Sequence, residues 1–90
     1  MPNHKSAEKR MRQNEKRRVR NKSVRSELRT TFRKFDEAVA SGDVSAAEAA
    51  FLLAQSKLSR AATKNVIPRS RAARKTGRLA TQLEKMRAAQ

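Results

Sequence analysis

The fold is decided by Lys5–Lys34, which reads KSAEKRMRQNEKRRVRNKSVRSELRTTFRK and contains neither glycine nor proline. Most of its residues are good helix formers, so the stretch predicts one long α-helix. Residues 1–34 carry thirteen lysines and arginines against three glutamates, which is +10 of the chain's net charge of +15. Positive side chains four residues apart on a helix, such as Arg25 and Arg29, repel each other. A polyanion relieves this repulsion, so the stretch predicts a helix that binds nucleic acid.

The composition limits what the rest of the chain can be. Its 90 residues form one small domain, and only 37% of them are apolar, so we expect a thin core. The chain has no cysteine, tryptophan or tyrosine and only three phenylalanines. This excludes a thiolate zinc site and makes base stacking a minor binding mode. No apolar run is long enough for a secretory signal or a membrane span, so we expect neither.

Apolar periodicity divides the long helix into two parts. From Ser6 to about Val19 no apolar stripe forms, and a helix that is polar all round must project, fray or be ordered by a partner. We therefore predict a basic extension over residues 1–20, in which Met1–His4 is a flexible tail and Ser6 is the candidate N-cap. After this extension an apolar helical face begins. Its members are Val24, Leu28, Phe32, Phe35 and Val39.

A first break follows at residues 41–43, Ser-Gly-Asp. Gly42 suits the left-handed position after a helix, and either Asp43 or Ser45 can cap the next one. The second helix that follows is the least charged segment of the chain. Its predicted apolar face, rich in alanine so that neighbouring helices can approach closely, consists of Ala47, Ala50, Phe51, Ala54, Leu58, Ala61 and Ala62.

A second break lies at residues 64–68, KNVIP, where Asn65 tolerates the left-handed conformation and Pro68 fits the first turn of a third helix. Gly77 within that helix either marks a close approach of backbones or is merely tolerated. Short links between helices predict antiparallel neighbours, so the fold class is all-α, with residues 21–90 forming a three-helix bundle. The apolar face of the third helix consists of Ala72, Thr76, Leu79, Leu83 and Met86.

Charge is unevenly distributed between these segments. Residues 63–90 carry a net +7, whereas residues 35–62 carry a net −2. The third helix therefore presents a second basic stripe, formed by Arg69, Arg71, Arg74, Lys75 and Arg78. The one histidine, His4, has no second ligand for a metal and no partner for acid–base catalysis. An enzyme is thus the weakest functional class, and we expect no metal, cofactor or small-molecule substrate.

A further set of motifs occurs in order over nearly the whole chain. They are Asn3–Arg10 (NHKSAEKR), Lys16-Arg17, Asn21, Arg25-Ser26, Arg29-Thr30, Gly42-Asp43 with Ala47 and Phe51, and Lys64 with Ile67 and Arg71–Lys75 (RAARK). In their order and spacing these motifs resemble the bacterial small-subunit ribosomal protein S-twenty family.

The resemblance implies a three-helix bundle whose long first helix extends into small-subunit ribosomal RNA. It implies a cytoplasmic, ribosome-bound protein that joins the RNA early in assembly and contacts the 5′ domain and the long penultimate stem. Carried over by position, it predicts thirteen RNA-facing residues. These are Lys5, Ser6, Lys9, Arg10, Lys16, Arg17, Asn21, Arg25, Ser26, Arg29, Arg71, Arg74 and Lys75.

The basic stripes of the first and third helices add five more predicted RNA-binding residues, namely Arg12, Arg18, Lys22, Arg69 and Arg78. Composition alone favours RNA and DNA about equally. Two alternatives therefore stay open: a nucleoid-type DNA-binding protein, and a partner-binding helical module whose basic ends serve localisation. The absence of a heptad run for dimerisation and of a groove-reading motif weighs against DNA.

Overall fold

The computed structural model of this protein describes residues 4–89, and within that range it contains three α-helices and no strand. They are α1 (His4–Ser41), α2 (Val44–Thr63) and α3 (Arg69–Ala88). Helix α2 packs along both α1 and α3, whereas α1 and α3 touch each other only locally. The predicted all-α three-helix bundle is therefore confirmed, with α2 as its central element.

The molecule is strongly elongated because α1 is longer than the bundle it belongs to. Its extents are 69 × 21 × 13 Å and its radius of gyration is 17.9 Å, against about 12 Å for a compact domain of this length. At about 1.5 Å per residue, the 38 residues of α1 span roughly 57 Å. Every residue from 4 to 20 is exposed, so the basic first half of α1 projects from the bundle as predicted.

The start of α1 differs from the prediction. His4 already belongs to the helix, so placing it in a flexible tail was wrong, and Ser6 lies inside α1 rather than at its N-cap. Residues 1–3 of the predicted tail lie outside the described residues. The helix starts earlier than expected because His4 and Lys5, although weak as start signals, are compatible with helical backbone.

The first break resolves a choice that the sequence left open. Gly42 has φ +78°, the left-handed conformation that glycine adopts without a steric penalty. Asp43 is the N-cap of α2, and its Oδ1 accepts a hydrogen bond from the Ala46 backbone nitrogen at 3.1 Å. Ser45 is therefore the second residue of α2 and not its cap, because the aspartate two residues earlier already satisfies the exposed backbone donor.

The second break forms a Schellman-type end to α2. Asn65 takes φ +61°, and its backbone nitrogen donates to the Ala62 carbonyl at 3.0 Å. The Val66 nitrogen donates to the Ala61 carbonyl at 2.9 Å, which completes the motif. Val66 and Ile67 are both buried. This link is therefore part of the core, which the helical periodicity of the sequence did not predict.

Helix α3 starts just after its proline, whereas the sequence predicted that the proline lies in the first turn. Pro68 is the N-cap, with φ −64° and ψ 146°, and its carbonyl accepts from the Ala72 nitrogen at 3.1 Å. Gly77 lies in the helix with no atom within 4 Å of where a Cβ would stand. No neighbouring part of residues 4–89 approaches Gly77 closely, so the bundle tolerates this glycine without requiring it.

The core is thin and dominated by alanine, as the composition predicted. Its largest fully buried side chains are Phe35 and Leu79. Every residue of the three predicted apolar faces is buried or half-buried. Thr31 is a polar member of the core that the pattern missed; its hydroxyl donates to the Glu27 carbonyl at 2.8 Å. Since each helix turns a narrow apolar stripe inward, the charged faces remain available for a partner.

Candidate nucleic-acid interface

The eighteen residues predicted to bind RNA all lie at the surface of the protein. Sixteen are exposed, and Asn21 and Lys75 are half-buried. Those between residues 5 and 12 lie on all sides of the projecting part of α1, because no other helix covers it. Further along, packing of α1 against α2 and α3 separates the basic residues into distinct surfaces.

One surface forms where α1 and α3 meet. The Lys75 Nζ atom of α3 lies 4.6 Å from the centroid of the Phe32 ring of α1, a cation–π contact. Arg29 and Arg25 precede Phe32 by three and seven residues, so they lie on the same side of α1. The cation–π contact therefore brings the basic stripes of two helices to one edge of the bundle, an arrangement that helical periodicity alone does not predict.

The same helical spacing identifies the residues of α3 that lie at this edge. Arg71 and Arg78 lie four residues before and three residues after Lys75, and are therefore its neighbours on the helix surface. Arg74 is exposed on the adjoining strip of α3. We call this surface the α1–α3 edge. It consists of Asn21, Arg25, Arg29, Arg71, Lys75 and Arg78.

A shallow groove on α1 extends the α1–α3 edge towards the projecting half of the helix. Arg17, Arg18, Lys22 and the α1 members of the edge line it together with Asn14. This continuous strip holds five predicted arginines and lysines on one helix. Its charge repeats at helical spacing along about three turns, which matches the extended phosphate array of a nucleic-acid strand better than it matches a compact anion.

Three predicted residues lie away from the α1–α3 edge. Lys16 lines a groove on the side of α1 that faces α2, beside Lys64. Ser26 also faces that side, and Arg69 lines the groove between α2 and α3. The predicted residues therefore do not form a single surface, because α2 separates them once the helices pack.

One predicted cation already has an anionic partner. Arg18 Nε lies 3.2 Å from Glu15 Oε2 within α1. The hydrogen bond from Arg18, reinforced by its charge, lowers the pKa of Glu15 below its ordinary value. Both groups are exposed. Arg18 is therefore partly neutralised in the free protein, and a phosphate at this position must compete with the carboxylate.

Two further carboxylates tie α2 to its neighbours. Glu27 of α1 pairs with Lys57 of α2, and this hydrogen bond is the main cause that lowers the pKa of Glu27. Arg87 of α3 lies 2.8 Å from Glu48 Oε1 and 2.7 Å from Glu84 Oε1. Hydrogen bonds to both carboxylates, that to Glu48 first, raise the pKa of Arg87. Glu27 and Glu48 thus lie at the contacts of α2 with α1 and α3.

Within residues 4–89 no group of three or more histidine, cysteine or acidic side chains is placed to hold a metal ion. In the same range, no helix is both long and apolar enough to cross a membrane.

Sequence reasoning omitted three exposed cations that the fold gathers on the opposite side of α1, namely Arg20, Arg60 and Lys64. Arg20 Nη2 donates to the Lys64 carbonyl at 3.4 Å, which joins the first helix to the end of the second. The net charge of −2 over residues 35–62 concealed Arg60, whereas Lys64 lies in the basic segment of residues 63–90 but outside the predicted stripe of α3. The available signal was that residues 49–83 contain eight lysines and arginines and no acidic residue.

The chain is similar over most of its length to one family of known proteins. A family model described as "Ribosomal protein S20" matches residues 2–84. A protein of Shouchella clausii named "Small ribosomal subunit protein bS20" is 51% identical over 92% of this chain and 94% of its own length. A protein of the same name from Rhodopirellula baltica is 51% identical over 88% of this chain and 88% of its own length. Another, from Phenylobacterium zucineum, is 48% identical over 99% of this chain and 100% of its own length.

These matches confirm the resemblance that the sequence motifs indicated. The match spans all three helices, including the basic half of α1 that lies outside the bundle. The chain belongs to the ribosomal protein S20 family.

Proposed function

We propose that this protein is a structural component of the small ribosomal subunit that binds small-subunit ribosomal RNA directly and holds RNA segments together during assembly. The observation that carries the proposal is the α1–α3 edge, where two basic helix stripes meet around Lys75 and Phe32. The names of the related proteins, which place them in the small ribosomal subunit, support it. On this proposal the protein acts in the cytoplasm as part of the ribosome.

The proposed mechanism is electrostatic. Lysines and arginines neutralise crowded phosphates, and the release of condensed counterions drives binding. Side chains cannot enter the deep major groove of A-form RNA, so recognition comes from the shape of the folded RNA and from its 2′-hydroxyl groups. The exposed guanidinium groups of Arg25, Arg29 and Arg74 suit this role, because each presents several donors to phosphate oxygens.

The two parts of the molecule have different proposed tasks within one domain of residues 1–90. The extension of residues 1–20 enters the RNA, which surrounds it and neutralises its charge. The bundle of residues 21–90 holds α3 at a fixed distance from α1, so that a second RNA segment meets the α1–α3 edge. The RNA regions proposed as partners are the 5′ domain and the long penultimate stem of the small-subunit RNA.

A competition between two polyanions tests this proposal. Binding to folded 5′-domain RNA and to random duplex DNA of equal charge is measured over a series of salt concentrations. We expect RNA to keep a large advantage at high salt, because shape recognition does not depend on counterion release alone. If both affinities fall together along one slope, the protein is a general polyanion binder and the DNA-coating alternative replaces this proposal.

A charge-reversal variant tests the remaining alternative, a partner-binding module whose basic ends serve only localisation. Arg17→Glu combined with Arg74→Glu places carboxylates on both basic stripes while leaving the core unchanged, since both side chains are exposed. We expect this variant to lose RNA binding by at least about thirtyfold, given roughly 1–3 kcal/mol for each altered contact. Unchanged RNA affinity would contradict the proposal.

A further inference from the structure

A second cationic surface lies in the groove between α1 and α2. It is formed by Arg20, Arg60 and Lys64, which we call the α1–α2 cluster. All three side chains are exposed. Arg20 and Lys64 are joined through the hydrogen bond from the guanidinium to the Lys64 carbonyl. Arg60 lines the same cleft of about 90 Å³ as Lys64, between the two helices.

The α1–α2 cluster has more positive charge than its surroundings neutralise. Two carboxylates line the groove, and both are already paired: Glu27 with Lys57 and Glu15 with Arg18. The charges of Lys64 and Arg60 also lower the pKa of Glu27, after the larger effect of Lys57, and Arg20 lines the same groove. Among residues 4–89, none of the three cluster residues forms an ion pair of its own. The groove therefore keeps a charge of about +3 that faces solvent.

A purely structural role explains only part of this arrangement. Arg60 and Lys64 lie at the end of α2, where positive side chains are favoured by the helix dipole. The same two residues are four apart and repel each other, which offsets that benefit. Arg20 also lies at this helix end, where its guanidinium donates to the Lys64 carbonyl, but it comes from a different helix and approaches the groove from the opposite wall. Gathering cations from two helices is the arrangement expected of an anion-binding surface.

The α1–α2 cluster and the α1–α3 edge face different directions. Arg20 and Arg29 are nine residues apart in α1, which is two and a half turns, so they lie on opposite sides of the helix. A helix with its side chains is about 10–12 Å thick. One stretch of RNA backbone running along the α1–α3 edge therefore does not also reach the cluster.

We propose that Arg20, Arg60 and Lys64 bind the phosphates of a further RNA strand, separate from the strand that contacts the α1–α3 edge. The inference rests on the proposed function and adds a second binding surface to it. On this view α1 is clamped between two RNA strands, one on each side. The paired Glu27 and Lys57 line the same cleft.

Site-directed photo-crosslinking tests the separation of the strands. The chain has no cysteine, so a single introduced cysteine carries the label uniquely. Ser56→Cys places a photo-crosslinker one turn before Arg60, and the matched variant Ser70→Cys places one a turn before Arg74; both serines are exposed. With small-subunit RNA, we expect crosslinks to two different RNA segments. Crosslinks from both positions to one continuous strand, or none from position 56, would overturn the inference.

A binding measurement tests whether the α1–α2 cluster contributes affinity. The double variant Arg60→Gln/Lys64→Gln should bind small-subunit RNA about tenfold more weakly, with a salt dependence reduced by about 1.5 units of slope. The control, Lys34→Gln/Lys85→Gln, removes the same charge at exposed positions outside both surfaces. Equal losses in the two double variants would show a general charge effect and overturn the inference.

The two levels of the proposal fail in distinguishable ways. If the native protein has no preference for folded RNA over duplex DNA, the proposed function is wrong. If the native protein prefers RNA and Arg25→Gln/Arg29→Gln weakens binding while Arg60→Gln/Lys64→Gln does not, only the second surface is wrong. Circular dichroism of each variant verifies that the helices are intact, which we expect because every altered side chain is exposed.

Discussion

Residues 4–20 and residues 21–41 form one continuous helix, yet different forces hold the two halves in that conformation. The first half carries eight lysines and arginines and two glutamates, and every one of its residues is exposed. The second half buries Leu28, Thr31 and Phe35 against the rest of the bundle. Helicity in the first half therefore depends on intrinsic propensity and on screening of charge, whereas helicity in the second half depends on burial.

This difference shows how a small protein can keep a long unsupported helix. Starting a helix is costly, and isolated helices of fewer than about 12–15 residues are marginal in water. The projecting half avoids the cost of nucleation because it continues a helix that the bundle already stabilises. It still has repulsion between like charges that only counterions or a polyanion relieve. We infer that the bundle specifies the direction of the extension and that RNA completes its stabilisation.

Hydrogen exchange should show the largest contrast between the two halves. In the free protein we expect amides of residues 5–18 to exchange at least about a thousandfold faster than those near Leu28, Leu58 and Leu79. Amides in the core exchange only when the whole protein unfolds, whereas those of the extension exchange through local opening of the helix. Mass spectrometry of peptides measures both regions in one sample. Addition of small-subunit RNA should slow exchange in residues 5–18. Full protection of these residues without RNA would contradict the distinction drawn here.

Truncation of core side chains should be nearly as informative. Phe35→Ala removes a completely buried ring and should reduce the free energy of unfolding by about 3–5 kcal/mol. Met11→Ala, whose side chain is 70% exposed in the extension, should change it by less than about 0.5 kcal/mol. Urea unfolding followed by circular dichroism at 222 nm measures both. A comparable loss in the two variants would mean that the extension packs against the bundle in solution.

The two glycines should respond in opposite directions. Gly77→Ala should stabilise the protein by roughly 1 kcal/mol, because the helix gains a better former and the new Cβ meets no atom within 4 Å. Gly42→Ala should destabilise it by about 1 kcal/mol, since φ is +78° there. Both effects belong to the bundle and are measured by the same urea unfolding. A destabilising Gly77→Ala would reveal a packing requirement at that position.

The smallest expected effect concerns two glutamates with lowered pKa values. The Glu27–Lys57 pair joins two helices, whereas the Glu15–Arg18 pair lies within the extension. Because the folded-state pKa of Glu27 lies below its ordinary value of 4.5, its stabilisation is present above that pH and is lost as the pH falls through the folded value. Glu27→Gln should therefore lower the melting temperature slightly at pH 7. At a pH well below 4 the same substitution should leave the melting temperature unchanged.

Glu15→Gln is the matched control for this measurement. Its pKa is lowered as well, by Arg18, but the pair lies where no tertiary contact forms, so the melting temperature of the bundle should not change at either pH. Thermal scans at pH 7 and at low pH compare the two variants directly. An equal effect of both substitutions would show that the extension and the bundle unfold as one cooperative unit.

Much of the fold followed from local patterns. The apolar residues from Val24 to Val39 recur at helical spacing, and those of α2 and α3 do the same, so the three helices and their inward faces were predictable. Gly42 and Asn65 marked both helix ends, because few other residues adopt a left-handed conformation without strain. Local signals were weaker where more than one residue could act as a helix cap. For α2 the candidates were Asp43 and Ser45, and the structure shows that Asp43 is the cap.

Other features had no local signal. The sequence around Val66 and Ile67 predicted a break between helices, yet both side chains are buried. They are buried because the chain crosses the end of the bundle here and covers it with these side chains. Arg60 is a minor exception within a segment of net negative charge, and Lys64 lies outside the predicted basic stripe of α3. Their position beside Arg20 depends on the antiparallel packing of α2 on α1, which brings together residues more than forty positions apart.

The sequence by itself determined that this protein is a basic, all-α bundle with a projecting helix, and its motifs indicated its family. Composition and helical periodicity are properties of residues close together in the chain, so they can be read without coordinates. Only the tertiary structure decided which cations share a surface. The contact of Lys75 with Phe32 and that of Arg20 with Lys64 depend on the relative rotation and register of packed helices, which are set by how the small alanine-rich core fits together.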